Sequence, residues 1–211
     1  MAWKRITLDL FVPLGFLVCF VYHCWLWYTV KKRPHGTSVG LFNANQQLWI
    51  AAMLKDNDQK NLVVVHGLRN SLVGSCLVAS SAFAACVGLL SLSSSVDRVV
   101  VIEKCAALLL CFAAVFLCET MSITLVNELS LVINTLILRD CPVTEEQLAV
   151  LLRKAALLSA IGHRLFFAAM PLLLWFFGPV LVFVASVAVV VALYVADVAR
   201  REKSVENVAA D

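Results

Sequence analysis

Residues Leu165 to Ala196 read LFFAAMPLLLWFFGPVLVFVASVAVVVALYVA, and none of them is charged. The run is longer than the roughly 20 apolar residues that carry a helix across a 30 Å hydrocarbon core. It therefore places the chain in a bilayer. It also makes the segment helical, because a spanning backbone has no water to bond with and must satisfy its own N–H and C=O groups. Pro171 and the pair Gly178, Pro179 lie inside the run. Splitting it at the second proline leaves about 13 residues before the break, too few for a span. The expectation is one long kinked helix over 165–196.

The rest of the chain follows the same pattern. It is 62% hydrophobic and 15% charged, where a soluble domain is about half apolar and a quarter charged. Charges collect at Lys31 to Arg33, Lys55 to Lys60 and Arg200 to Lys203, and long stretches between carry none. Three further spans are expected, at about 7–30, 72–92 and 105–126, with the periodicity of the third persisting to 138. As one helix of about 34 residues, the third would outrun the hydrocarbon by some 20 Å. The first ends in Trp25, Trp27 and Tyr28, then Lys31, Lys32 and Arg33. That aromatic and basic border marks a retained anchor rather than a cleaved signal. In the second, Ser75, Ala79, Ala82 and Cys86 share a face that permits close helix packing.

Two polar stretches are expected to form amphipathic helices on the membrane surface. One carries Leu41, Phe42, Leu48, Trp49, Ala52 and Met53 at helical spacing. The other opens on the capping box Thr144, Glu145, Glu146, Gln147, with Leu148, Leu151, Leu152 and Ala155 as its apolar stripe. The expected fold is thus an all-α polytopic membrane protein of about four transmembrane helices plus two amphipathic surface helices. It forms a single membrane domain over 1–211 with a polar tail at 197–211. Four spans would put both termini on one side, with about seven basic residues there and ten on the other, which favours cytoplasmic connecting segments.

Composition also narrows the function. A net charge of +3 scattered between apolar runs gives nucleic acid no footprint, so membrane lipids are the expected partner. Four helices enclose little room, so a homo-oligomer is expected. Seven of the eight cysteines lie in apolar segments and none forms a C-x-x-C pair, which fits helix packing. Only His23 sits within an expected span, too little for haem ligation. No zinc spacing, nucleophile elbow, phosphate loop or dinucleotide fingerprint occurs. No cofactor or metal is expected, and an ordinary enzyme is disfavoured. The N-terminus lacks the serine-rich, acid-free character of a transit peptide, since Asp9 interrupts it, so a plasma membrane or endomembrane address is expected ahead of an organelle.

The unusual polar residues gather in two places. Four spans bring His66, Arg69 and Asn70 at the start of the second, Asn127, Glu128 and Asn134 at the end of the third, and His163 and Arg164 at the start of the fourth to one side. These form a candidate vestibule, with Arg69 or Arg164 expected to pair with Glu128. Glu119 is different. It lies about 15 residues beyond Lys104, hence some 22 Å into the third span. An intramembrane acid points to proton or cation coupling. On a helical wheel Ser122, Ser130 and Asn134 lie within about 60° of it and Asn127 within about 80°, so a polar path would run from the bilayer centre to the vestibule. The leading expectation is a small transporter or channel-like protein. The competing one is a non-catalytic scaffold or lipid-binding subunit, in which the same groups only clamp the helices.

Three segments carry a resemblance: HGLRNSL at 66–72, SITLVNELSLVIN at 122–134 and GHRLFFAAMPLLLWFFGP at 162–179. Together they resemble the domain of unknown function 599 family, small multispanning proteins of plants and bacteria, and the similarity runs from the first span to about Val195. The resemblance implies a membrane protein from a plant and brings no activity with it. His163 and Glu119 stand where that family's pattern implies asparagine and histidine.

Overall fold

A computed structural model describes residues 10–33, 36–41, 45, 60–96, 98–136 and 145–198. Its helices are α1 (Phe11–Lys32), α2 (Lys60–Ser95), α3 (Val99–Leu136), α4 (Glu145–Leu173) and α5 (Pro179–Val198), with a 3-10 turn at Leu174–Phe176. All five are long and apolar enough to cross a membrane. Among the described residues there is no strand, and the protein is an all-α, multi-pass membrane protein. Its outer surface agrees: Phe20, Leu110 and Leu117, in the middle of helices, are 68%, 73% and 62% exposed. Such side chains are costly in water and at home in hydrocarbon.

The last apolar run departs from expectation. It is not one kinked helix over 165–196. Its first part belongs to α4, which begins at Glu145, and the chain breaks before α5. The objection to a break was length, and it fails because the residues before Pro179 are the end of a 29-residue helix rather than a span of their own. Pro171 is accommodated inside α4. The break comes at Gly178, whose φ of +155° a side chain would resist. Pro179 then starts α5, where its missing N–H leaves no partner wanting. The second expected surface helix is likewise the opening of α4. The first falls largely outside the described residues, which show only a helical stretch at 38–41 and residue 45.

Two compact units are present: Met1–Ala44 with Phe167–Asp211, and Asn45–Phe166. In the second unit α2 and α3 pair as an antiparallel hairpin. Ala79 and Ala82 are buried, and the Phe83 and Phe116 rings lie 5.8 Å apart. The first half of α4 packs on the open end of this hairpin. Its Leu148, Leu152 and Ala155 form one buried cluster with Leu68, Val126 and Leu129. The apolar stripe that suggested a surface helix is spent on this core instead.

In the first unit α1 packs against α5. Gly15 permits the approach, since a Cβ there would stand 3.0 Å from Ser186 Oγ and 3.6 Å from Phe183 Cα. Phe11 and Phe183 meet near one end, 5.7 Å between ring centroids. Towards the other end Asp197, buried, accepts hydrogen bonds from Tyr22 Oη at 2.5 Å and Ser38 Oγ at 3.3 Å. Tyr22→Phe keeps the ring and removes a donor to a buried carboxyl. It is expected to cost about 1–2 kcal/mol, between the values for bonds to charged groups and for bonds between membrane helices. Thermal unfolding in detergent measures it, and an unchanged midpoint would contradict it.

Candidate functional site

Glu119 occupies a core position. Leu108, Phe112, Val115, Glu119, Ser122, Val126 and Leu129 recur at steps of three and four along α3, and all are buried. One stripe of a helix therefore carries apolar packing with a carboxyl and a hydroxyl set into it. The corresponding stripe of α2 holds Leu68, Ser75, Ala79 and Ala82, all buried. That of α4 holds Leu148, Leu152, Ala155, Ser159 and Gly162. Heptad register thus brings Ser75, Glu119 and Ser159 with Gly162 to one level of the three-helix unit, and the level is polar.

The polar groups at this level touch. Ser75 Oγ and Ser159 Oγ are 3.0 Å apart, and Ser159 Oγ is 3.3 Å from His163 Nδ1. His163 Nδ1 lies 2.8 Å from the Ser159 carbonyl, one turn back in its own helix. It lies equally close, 2.8 Å, to Glu119 Oε1. The carbonyl is aligned to accept the ring N–H, whereas neither Glu119 oxygen has an aligned donor among the described residues. The carboxyl is held by charge and proximity to the imidazole more than by a directed hydrogen bond. One turn on, Ser122 Oγ donates to the Ala155 carbonyl at 2.8 Å, so polar links join α3 to α4 and α4 to α2.

Gly162 makes room for the acid. A Cβ at this position would stand 2.3 Å from Glu119 Oε1, 2.8 Å from Cδ and 3.0 Å from Cγ. The Glu119 side chain lies against bare α4 backbone and has no exposed surface, while 36% of the His163 side chain is exposed. The imidazole is thus the route by which the carboxyl meets anything outside the bundle.

The pair has a restricted set of states. With one proton shared between carboxyl and imidazole it carries no net charge, as acid plus neutral ring or as carboxylate plus imidazolium. A second proton makes it a cation and the loss of the first makes it an anion. Either creates a net charge where hydrocarbon surrounds the bundle, at a cost of several kcal/mol unless an opposite charge arrives. Among the described residues no three His, Cys, Asp or Glu side chains are placed to hold a metal ion.

The other residues of the expected vestibule divide. His66, Arg69 and Asn70 on α2 and Asn127 and Glu128 on α3 are exposed and flank the cluster of Leu68 with Val126 and Leu129. They do share a level. No ion pair joins Arg69 or Arg164 to Glu128 among the described residues. Asn134 lies in α3, but its side chain is outside the described residues. Ser130, on the expected polar path, turns its hydroxyl to the Val126 carbonyl of its own helix. His163 and Arg164 do not belong to this level, where α4 instead supplies Leu148 and Leu152. Because α4 starts at Glu145, they stand about three turns deeper, and His163 meets Glu119.

Sequence reasoning missed Gly162, Ser75 and Ser159 as parts of this site. A signal existed: Leu148, Leu152, Ala155, Ser159, Gly162 and Phe166 continue a single stripe with no breaker between. Followed through, it makes 145–166 one helix and puts Gly162 on its buried face.

Residues 10–202, most of the chain, match the family described as protein of unknown function, DUF599. No curated protein and no solved structure matches the chain.

Proposed function

We propose that the chain, which belongs to the DUF599 family, is a small transporter in which the Glu119 and His163 pair carries a proton. The observation behind this is the buried carboxyl 2.8 Å from a partly exposed imidazole inside bilayer-length helices. A structural role needs no such pair, since replacing a buried ion pair by apolar side chains is often neutral or stabilising. A coupling role does need it. The one-proton pair is neutral and cheap to hold in hydrocarbon, and a change in its proton count becomes tolerable when a solute of compensating charge occupies the exposed side of His163. Proton movement and solute movement are then linked by electrostatics alone.

The competing class is a non-catalytic scaffold or lipid-binding subunit. The contact at Gly162 and the hydroxyl links from Ser75 and Ser122 favour it, because they serve packing equally well. Glu119→Gln separates the two. It keeps the shape and removes the acid. The full chain, reconstituted in liposomes containing a pH-sensitive dye and bathed in a mixture of small organic anions as compensating solutes, is given a membrane potential, and internal acidification is followed. The native protein is expected to admit protons and Glu119→Gln to lose at least nine-tenths of that rate with its unfolding midpoint nearly unchanged. Folded, silent native protein would remove the transport reading, and a variant that merely unfolds would support the scaffold.

A further inference from the structure

The first unit carries a feature that owes nothing to the carboxyl and imidazole pair. Between α1 and α5 lies an open groove of about 450 Å³, lined by Leu17, Val21, Tyr22, Trp25, Val190 and Tyr194 among others. Its walls are apolar and aromatic. The Trp25 and Tyr194 rings lie 5.7 Å apart, and the one hydroxyl of Tyr22 is engaged by Asp197. The groove suits a hydrocarbon chain.

The face of α1 that lines it does not stop at Trp25. On a helical wheel Val21, Trp25 and Lys32 fall within about 40° of one another, and Lys32 stands seven residues, about 10 Å, beyond Trp25. There Lys31 Nζ rests 5.3 Å from the Trp27 ring centroid, and Lys32 Nζ rests 5.5 Å from that of Tyr28 and 3.2 Å from its hydroxyl. Lys31, Lys32 and Arg33 are exposed, and among the described residues none of them has a carboxylate partner. A cationic cluster thus caps an apolar groove. From Lys32 to Leu17 the helix runs about 22 Å, enough for a headgroup and one leaflet's hydrocarbon of about 15 Å.

The first unit has its own charge pattern. Lys4 and Arg5 precede α1 in the sequence, whereas Lys31, Lys32 and Arg33 follow α1 and Arg200, Arg201 and Lys203 follow α5, which runs parallel to α1. Six against two favours the cytoplasmic leaflet for the end of α1 that carries Lys31 to Arg33, and that leaflet is the one rich in anionic lipid.

We infer that the first unit binds one anionic phospholipid of the cytoplasmic leaflet, with an acyl chain in the groove of α1 and α5 and its phosphate at Lys31, Lys32 and Arg33. Full-length protein is purified in mild detergent, stripped of lipid by exchange, and titrated with phosphatidylglycerol or phosphatidylcholine while native mass spectrometry counts bound lipids. One phosphatidylglycerol per chain is expected, at least tenfold tighter than phosphatidylcholine. Val21→Trp, at a position already 57% exposed, fills the groove and should weaken phosphatidylglycerol binding at least tenfold. Lys31→Gln with Lys32→Gln, both on the surface, should abolish the preference between the two lipids, and it carries the test should the tryptophan variant fail to fold. Equal binding of both lipids by the native chain, unaltered binding by folded Val21→Trp, or no bound lipid would each overturn the inference.

Discussion

His163→Leu is expected to destabilise the protein by about 1–3 kcal/mol, the usual cost of leaving a buried polar group without its partner. The leucine fills most of the space, so lost packing contributes little. The cost arises at Glu119, which has no exposed surface and whose ionisable neighbour is His163 Nδ1, at 2.8 Å. Neither carboxyl oxygen has an aligned donor to fall back on among the described residues. The acid must then stay charged in a low dielectric, bind a proton, or drag water into the bundle. Adding Glu119→Leu to His163→Leu removes the stranded group, and the double variant should return to within about 1 kcal/mol of the native chain, because apolar replacement of a buried pair is close to neutral. Denaturation of all four proteins in mixed micelles gives the coupling directly. A His163→Leu protein as stable as the native one, or a double variant as poor as the two single losses added together, would show that the pair does not interact as described.

Gly162→Ala is expected to cost about 1–3 kcal/mol, the range for overpacking a well-filled core. At the open helical positions Gly74 and Gly88 the same change should help, since alanine is the better helix former by about 1 kcal/mol. Gly88 is the control, with nothing within 4 Å of a Cβ built there. At Gly162 the new methyl would stand 2.3 Å from Glu119 Oε1 and 2.8 Å from Cδ. The carboxyl, which has no exposed surface, must swing away. Swinging also breaks the approach to His163, so proton entry should fall along with stability. Combining Gly162→Ala with Glu119→Ala removes the atoms that collide, and the two changes together should cost less than their separate effects summed. Gly162→Ala as harmless as Gly88→Ala would mean that α3 and α4 do not approach as closely as the contact implies.

The residues that were read correctly and those that were not differ in kind. Glu119 was legible as a deep intramembrane acid because its depth depends only on rise per residue within one helix. The small-residue face of α2 was legible for the same reason, since Ser75, Ala79 and Ala82 follow from a local period. His163 was misplaced because its depth depends on where α4 begins. The charge-free run beginning at Leu165 suggested a boundary near 164, yet the helix was already under way, with Arg153 and Lys154 on its exposed side, where long side chains can reach polar surroundings.

By itself, then, the amino-acid sequence determined that this is a helical multi-pass membrane protein, which residues lie deepest, and which helix faces are small or apolar. Hydropathy and period are properties of contiguous residues and need no partner. Only the tertiary structure decided that the last apolar run breaks at Gly178 and that α4 reaches back to Glu145. It also decided that Glu119 meets His163 across the bare backbone of Gly162. That meeting joins residues 44 positions apart on antiparallel helices, and its register is set by how the stripes of α2, α3 and α4 interlock, a property of the packed bundle that no single segment contains.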